Sequence, residues 1–291
     1  MYAHDAKYIY AWFIPGGNEH HRIAIDAAER GSCRFLRDGE RILLIGSKDE
    51  TEEGIHHLAV RDLRTNTLHS AVDVHVETYG LLTILLNRAE DTLLLRDCGD
   101  MWHFLQFPSC RRLRSLKAES YRGIVYSPDE AEIWTTSGED EPGGYRDYLC
   151  AWDPLSGKLL RRRRLQDEQF YYGLALTPDA LWLLVVGEKT LAVLDPGSWE
   201  LLKVFRVPTK WEMCQPVLAF SPDGRFLALS CDSDVGIFVV DCVNWEVIDT
   251  LRGHERSAVR LLAYSPDGRY LASGSWDTTR DVTLWEAPSQ S

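Results

Sequence analysis

No apolar run in these 291 residues approaches the ~20 that a membrane-crossing helix needs. The N-terminus has no basic-then-apolar signal segment, so no membrane partner is expected. Positive charge is scarce: 32 Lys and Arg face 44 Asp and Glu, a formal net charge of −12. Nucleic acid and anionic lipid both demand clustered positive charge, and neither is an expected partner. The one basic run, Arg161-Arg162-Arg163-Arg164, falls on an outermost strand, where charge prevents pairing with other sheets; a rim patch for an acidic partner is the alternative. The seven cysteines (33, 98, 110, 150, 214, 231 and 242) are odd in number and contain no Cys-x-x-Cys pair. A structural zinc site therefore has no support, and free buried thiols in a reducing compartment, the cytoplasm, are expected. No Gly/Ser/Pro-rich linker divides the chain, so residues 1–291 are expected to form a single domain. Its richest such stretch, Glu139-Asp140-Glu141-Pro142-Gly143-Gly144, reads as a long loop between two strands.

Catalytic signatures are missing too. There is no Gly-x-Ser-x-Gly, no His-Glu-x-x-His and no phosphate-binding loop. His20-His21 and His56-His57 are adjacent pairs, and neighbours on a strand point to opposite faces, which prevents easy chelation. His69 and His75 share a strand face but lie far apart, as exposed edge residues do. Most Asp and Glu stand in turns, where their oxygens cap backbone N–H groups. No catalytic residue, metal ligand or cofactor is assigned.

What the chain does contain is a repeated turn. Ser127-Pro128-Asp129, Ser221-Pro222-Asp223-Gly224 and Ser265-Pro266-Asp267-Gly268 recur, with Thr177-Pro178-Asp179 a close copy. The four aspartates stand 50, 44 and 44 positions apart. Each turn lies between two short apolar runs, such as Val217-Leu218-Ala219-Phe220 and Phe226-Leu227-Ala228-Leu229. Proline presets the first turn torsion, and Asp and Gly tolerate the later ones, so each unit predicts a β-hairpin. A hairpin with a period of 40–50 residues predicts an all-β chain, a single β-propeller of four-stranded antiparallel blades. Weaker copies centre near Asp38 and Ala89, for six blades in all, with seven the alternative. The strand over residues 20–25 is expected to complete the last blade, which would remove free sheet edges.

The last copy carries a family resemblance. Gly253-His254, Ser265-Pro266-Asp267-Gly268, Leu271-Ala272-Ser273-Gly274-Ser275-Trp276-Asp277 and Val282-Thr283-Leu284-Trp285 together resemble a WD40 repeat. Trp152-Asp153-Pro154, Leu194-Asp195-Pro196 and Val240-Asp241 echo its outer half. The resemblance implies a hydrogen-bonded blade lock made by His254, Ser273, Asp277 and Trp285. The step from Asp277 to Trp285 is longer than the family's usual one. The other copies lack Gly-His, which leaves them to core packing.

The resemblance also implies a non-enzymatic protein–protein interaction scaffold. In a propeller the loops before each first strand and after each second strand converge on one face. Here they carry Tyr121, Phe170, Tyr171, Trp211, Glu212, Arg256 and Trp276, together with carboxylates such as Glu139-Asp140-Glu141. Aromatic anchors ringed by carboxylates suit a protein or peptide with a basic segment. The opposing possibility is that the aromatics pack back into the blades. Alternatives to a scaffold are a regulatory or ligand-sensing module of a larger protein and a propeller hydrolase. A closed propeller needs no second copy, so a monomer is expected.

Overall fold

The computed structural model describes residues 2–4, 8–12, 19–24, 31–36, 38, 40–47, 55–62, 65–75, 81–97, 101–117, 121–142, 144–165, 171–187, 190–206, 217–230, 236–252, 259–265, 267–275 and 282–287. Within them are 26 strands and no helix. Strands consecutive in sequence are hydrogen-bonded neighbours in every sheet. The first sheet has three strands: β1 (Tyr2–His4), β2 (Tyr8–Trp12) and β3 (Glu19–Ala24). Five four-stranded sheets come after it. They are β4 to β7 (Gly31–Phe35, Arg41–Ser47, Ile55–Asp62, Leu68–His75) and β8 to β11 (Leu81–Leu86, Thr92–Asp97, Met101–Gln106, Arg111–Lys117). Next come β12 to β15 (Tyr121–Tyr126, Ile133–Glu141, Gly144–Trp152, Leu159–Arg164) and β16 to β19 (Tyr171–Leu176, Leu183–Gly187, Thr190–Leu194, Leu201–Arg206). The fifth is β20 to β23 (Val217–Phe220, Phe226–Ser230, Ile237–Asp241, Glu246–Leu251). Strands β24 (Val259–Tyr264), β25 (Tyr270–Ser275) and β26 (Val282–Glu286) make the last described sheet. The fold is a β-propeller built of antiparallel blades, and each of the six inner hairpins expected from the sequence opens one of these sheets. Among the described residues, β3 pairs with β2 and β26 pairs with β25; closure of the last blade by residues 20–25 is not among the pairings.

The chain divides into two compact units, Met1–Ile133 with Ala151–Arg161, and Trp134–Cys150 with Arg162–Ser291. Each has its own core. In the first, Leu43, Ile45, Leu58, Val60, Leu93, Leu95 and Leu105 cluster. In the second, Leu184, Val186, Leu191 and Val193 meet Leu227, Leu229 and Val240. Both clusters take every second residue from strands of two consecutive sheets, so sheet faces pack on sheet faces. Middle strands such as β17, β18 and β21 are buried along their whole length. This explains their continuous apolar runs, since both faces are covered. Outer strands β15, β19 and β23 are mostly exposed. The four arginines therefore lie on an outermost strand, as expected, and two of them are held: Arg161 by Glu132 at 3.2 Å and Arg162 by Glu139 at 2.7 Å.

The turns have one recurring geometry. The hydroxyl of the first residue donates to the Asp carboxylate, at 2.7 Å for Ser127–Asp129, 2.6 Å for Thr177–Asp179, and 2.5 Å for both Ser221–Asp223 and Ser265–Asp267. The same hydroxyl accepts the backbone N–H five residues on, as in Phe226 to Ser221 at 2.8 Å. The fourth turn residue has positive φ: 74° at Gly224 and 71° at Gly268, but also 59° at Glu130 and 60° at Ala180. A left-handed L-residue costs roughly 1–2 kcal/mol, partly offset by the ~0.5–1 kcal/mol of unfolded-chain entropy that glycine adds. Ala180→Gly is thus expected to raise unfolding free energy by about 0.5–1 kcal/mol. Gly224→Ala is expected to lower it, since the new methyl would also sit 3.3 Å from the Asp179 carboxylate. Urea midpoints check both.

These carboxylates also set an acid limit. The Ser265 hydroxyl, the Arg269 side chain and the Arg269 backbone N–H hold the Asp267 carboxyl down to about 2. Hydrogen bonds likewise lower Asp129, first from Ser127, and Asp195, first from the Ser198 N–H. A depressed folded value means the contribution is complete above the unfolded carboxylate pKa, near ~4. It is lost as pH falls through the folded value. Stability is expected to stay level as pH falls to about 5, then to drop between about 4 and 2. Asp267→Asn is expected to flatten part of that drop, measured by denaturation across pH.

Candidate interaction face

The acidic stretch read from the sequence as a loop is strand instead. Strands β13 and β14 are nine residues each, against five in each of β17, β18, β21 and β22. They carry Glu139, Asp140 and Glu141 out along a hairpin arm. Four contacts along it explain why low strand propensity does not break it. The Arg162 guanidinium lies 3.4 Å over the Tyr148 ring and 2.7 Å from Glu139. The Tyr148 hydroxyl donates to Glu141, and that bond, with burial and the Glu141 charge, raises the phenol above its ordinary value. The Tyr145 ring occupies the space a side chain at position 138 would need, its hydroxyl 1.7 Å from where a Cβ would stand on Gly138. Asp140 is exposed, while Glu139 and Glu141 are half-buried.

Of the residues expected on the face, Phe170, Trp211, Glu212, Arg256 and Trp276 lie outside the described residues, as does the side chain of Tyr121, whose backbone begins β12. Tyr171 is a correction. It is 2 % exposed at the start of β16, with its N–H 3.3 Å from the Asp147 carboxylate. The strand's alternation turns this ring into the interior, so it offers no surface to a partner. The His56-His57 pair behaves as strand geometry demands: His56 is buried, and burial lowers its pKa, while His57 sits 2.7 Å from Asp73; the side chains of His20 and His21 lie outside the described residues. His69 and His75 are exposed on the outer strand β7.

Two members of the expected blade lock, His254 and Asp277, lie outside the described residues. The other two meet: the Trp285 Nε1–H donates to the buried Ser273 hydroxyl at 2.8 Å, tying β26 to β25. Residues 245–279 match the family described as WD domain, G-beta repeat. This stretch is a WD40 repeat. The chain matches no curated protein. The WD40 repeat covers β23, the outer strand of one sheet, and then β24 and β25, the inner strands of the next. The sequence unit is therefore offset from the blade by one strand.

A second polar lock lies in a sheet that has no Gly-His. In the blade β8–β11, the His103 ring sits 3.0 Å from Asp97 Oδ2 through Nε2 and 2.9 Å from the Ser115 hydroxyl through Nδ1. Asp97 also accepts the Met101 N–H at 2.9 Å. Asp97 and His103 are essentially inaccessible, and with Ser115 they join strands β9, β10 and β11. Core packing alone was expected here; the structure corrects that. In the WD40 repeat the corresponding His precedes the first strand, whereas His103 is on the third, so a search for Gly-His passes over it. Asp97→Ala is expected to cost about 1–3 kcal/mol by orphaning a buried ring. Asp97→Asn, which keeps an acceptor, is expected to cost less, with thermal unfolding as the measure.

Proposed function

We propose that the chain is a non-enzymatic protein–protein interaction module, and that its aromatic and acidic loop face grips a protein or peptide segment rich in Lys and Arg. WD40 propellers commonly mediate protein–protein interaction. The observation that carries the finer reading is the β13–β14 arm, which holds three successive carboxylates out from the sheet with Asp140 exposed at its end. Carboxylates around an anchor speed the encounter with a cationic segment and fix its register. Trp211, Phe170 and Trp276 are the proposed aromatic anchors, on the sequence reading alone. Tyr171 has no part.

Cys110 and Cys242 are free and buried, which supports a reducing compartment, the cytoplasm. The test is binding of Lys/Arg-rich peptides, followed by fluorescence anisotropy. Asp140→Arg is chosen because its side chain is exposed. We expect it to weaken binding about tenfold and to reduce its salt dependence. Equal affinity of the native and reversed arms would overturn the reading.

A further inference from the structure

We propose that β11 is a second docking surface, one that takes an Asp/Glu-rich segment of a partner protein. The strand runs Arg111-Arg112-Leu113-Arg114-Ser115-Leu116-Lys117, four cations without a carboxylate, and is outermost in the order β11-β10-β9-β8. Its register on β10 divides the cations between two faces. Lys117 stands opposite Met101, Ser115 opposite His103 and Arg114 opposite Phe104; a bulge then sets Arg112 opposite Leu105 and Arg111 opposite Gln106. Alternation along β10 therefore puts Arg111 and Arg114 on one face, and Arg112 and Lys117 on the other.

Each guanidinium is held by a neutral oxygen. Arg111 donates through Nε and Nη2 to Gln106 Oε1, at 3.2 and 3.0 Å. Arg112 donates through Nη2 to the His75 carbonyl. Arg114 donates through Nε to the Pro154 carbonyl at 2.9 Å, and its Cζ lies 4.1 Å over the Phe104 ring. Among the described residues, none of these cations is in an ion pair. Asp153 feels the Arg114 charge, but its oxygens are bound by the Leu155 N–H and the Ser156 hydroxyl. β15 also lacks carboxylates, yet its Arg161 pairs with Glu132 and its Arg162 with Glu139. The acidic partner weighed for that run thus fits β11 better.

Charge alone keeps an edge from pairing with another sheet. Immobilised guanidiniums are not needed for that, and ordering them costs rotamer entropy. What their placement gives is a preformed fork for carboxylates. Side chains on one face of an extended segment repeat every ~7 Å. Arg111 and Arg114 share that spacing, because their partners Gln106 and Phe104 are two residues apart. Exposed Leu113, the extra residue of the bulge, adds an apolar contact. A net charge of −12 repels a long polyanion such as nucleic acid. A short acidic segment meets only the charges within a Debye length, ~8 Å at physiological salt.

Fluorescence anisotropy with a labelled peptide of alternating Glu and Thr tests the proposal, with labelled duplex DNA as the rival ligand. The native chain is expected to bind the peptide more tightly than the DNA, and to lose affinity as salt rises. Arg111→Glu and Lys117→Glu are each expected to weaken peptide binding about tenfold. Both side chains are exposed, so thermal unfolding is expected to stay as in the native chain. Arg206→Glu, the same change of net charge on the outer strand β19, is expected to leave peptide affinity unchanged. A native chain that does not bind the peptide at low salt would overturn the proposal. So would affinity indifferent to both β11 reversals, an equal loss in Arg206→Glu, or tighter binding of the DNA.

Discussion

Trp199→Ala is expected to lower the free energy of unfolding by about 3–5 kcal/mol, the range for deleting a fully buried large aromatic. Trp199 closes the turn between β18 and β19. Its N–H donates to the Asp195 carbonyl at 2.8 Å, and its φ of 61° is left-handed. The ring is 2 % exposed and meets Trp134 edge-on, with centroids 5.7 Å apart and an interplanar angle of 87°. Such aromatic pairs add to the value of burial alone. The same turn between β22 and β23 ends on Trp245, at φ 56°, within the core of the second unit. Because the backbone there is left-handed, Trp199→Gly is expected to cost no more than Trp199→Ala, reversing the usual order of the two substitutions. Urea denaturation of both variants decides it, and a glycine variant clearly weaker than alanine would contradict a strained turn.

Tyr171→Ala is expected to cost about 3 kcal/mol in stability and to leave partner affinity unchanged once corrected for folded protein. Its ring is inside, opposite Gly187 in the β16–β17 pairing. Denaturation and a binding titration on the same variant separate the two roles. Lost affinity at unchanged stability would return Tyr171 to the interface.

These residues show what the sequence made legible. Each Ser/Thr-Pro-Asp turn was visible because proline, a hydroxyl and a carboxylate act within five positions of one another, and local chemistry is readable locally. The left-handed residue after each turn was visible only where it is glycine. Glu130, Ala180, Trp199 and Trp245 carry no such mark, since the surrounding sheet imposes the conformation. Tyr171 was misplaced because it stands in the run Phe170-Tyr171-Tyr172, where three aromatics hide the strand's alternation. The arm at Glu139–Glu141 was misread because acidic residues beside Pro-Gly-Gly have the composition of a loop. What holds it extended is Arg162, which is more than twenty positions away. The Asp97–His103–Ser115 lock joins three strands from residues 6 and 12 positions apart with no Gly-His beside them, so only the folded sheet brings it together.

The claim that the acidic arm is where a partner sits has a direct test in hydrogen exchange of the chain, with and without a saturating Lys/Arg-rich peptide. The account predicts slowed exchange at the end of the β13–β14 hairpin, around Glu139–Glu141, with the outer strands β7 and β11 unchanged. Protection confined to those outer strands, with the hairpin exchanging as in the free chain, would contradict it.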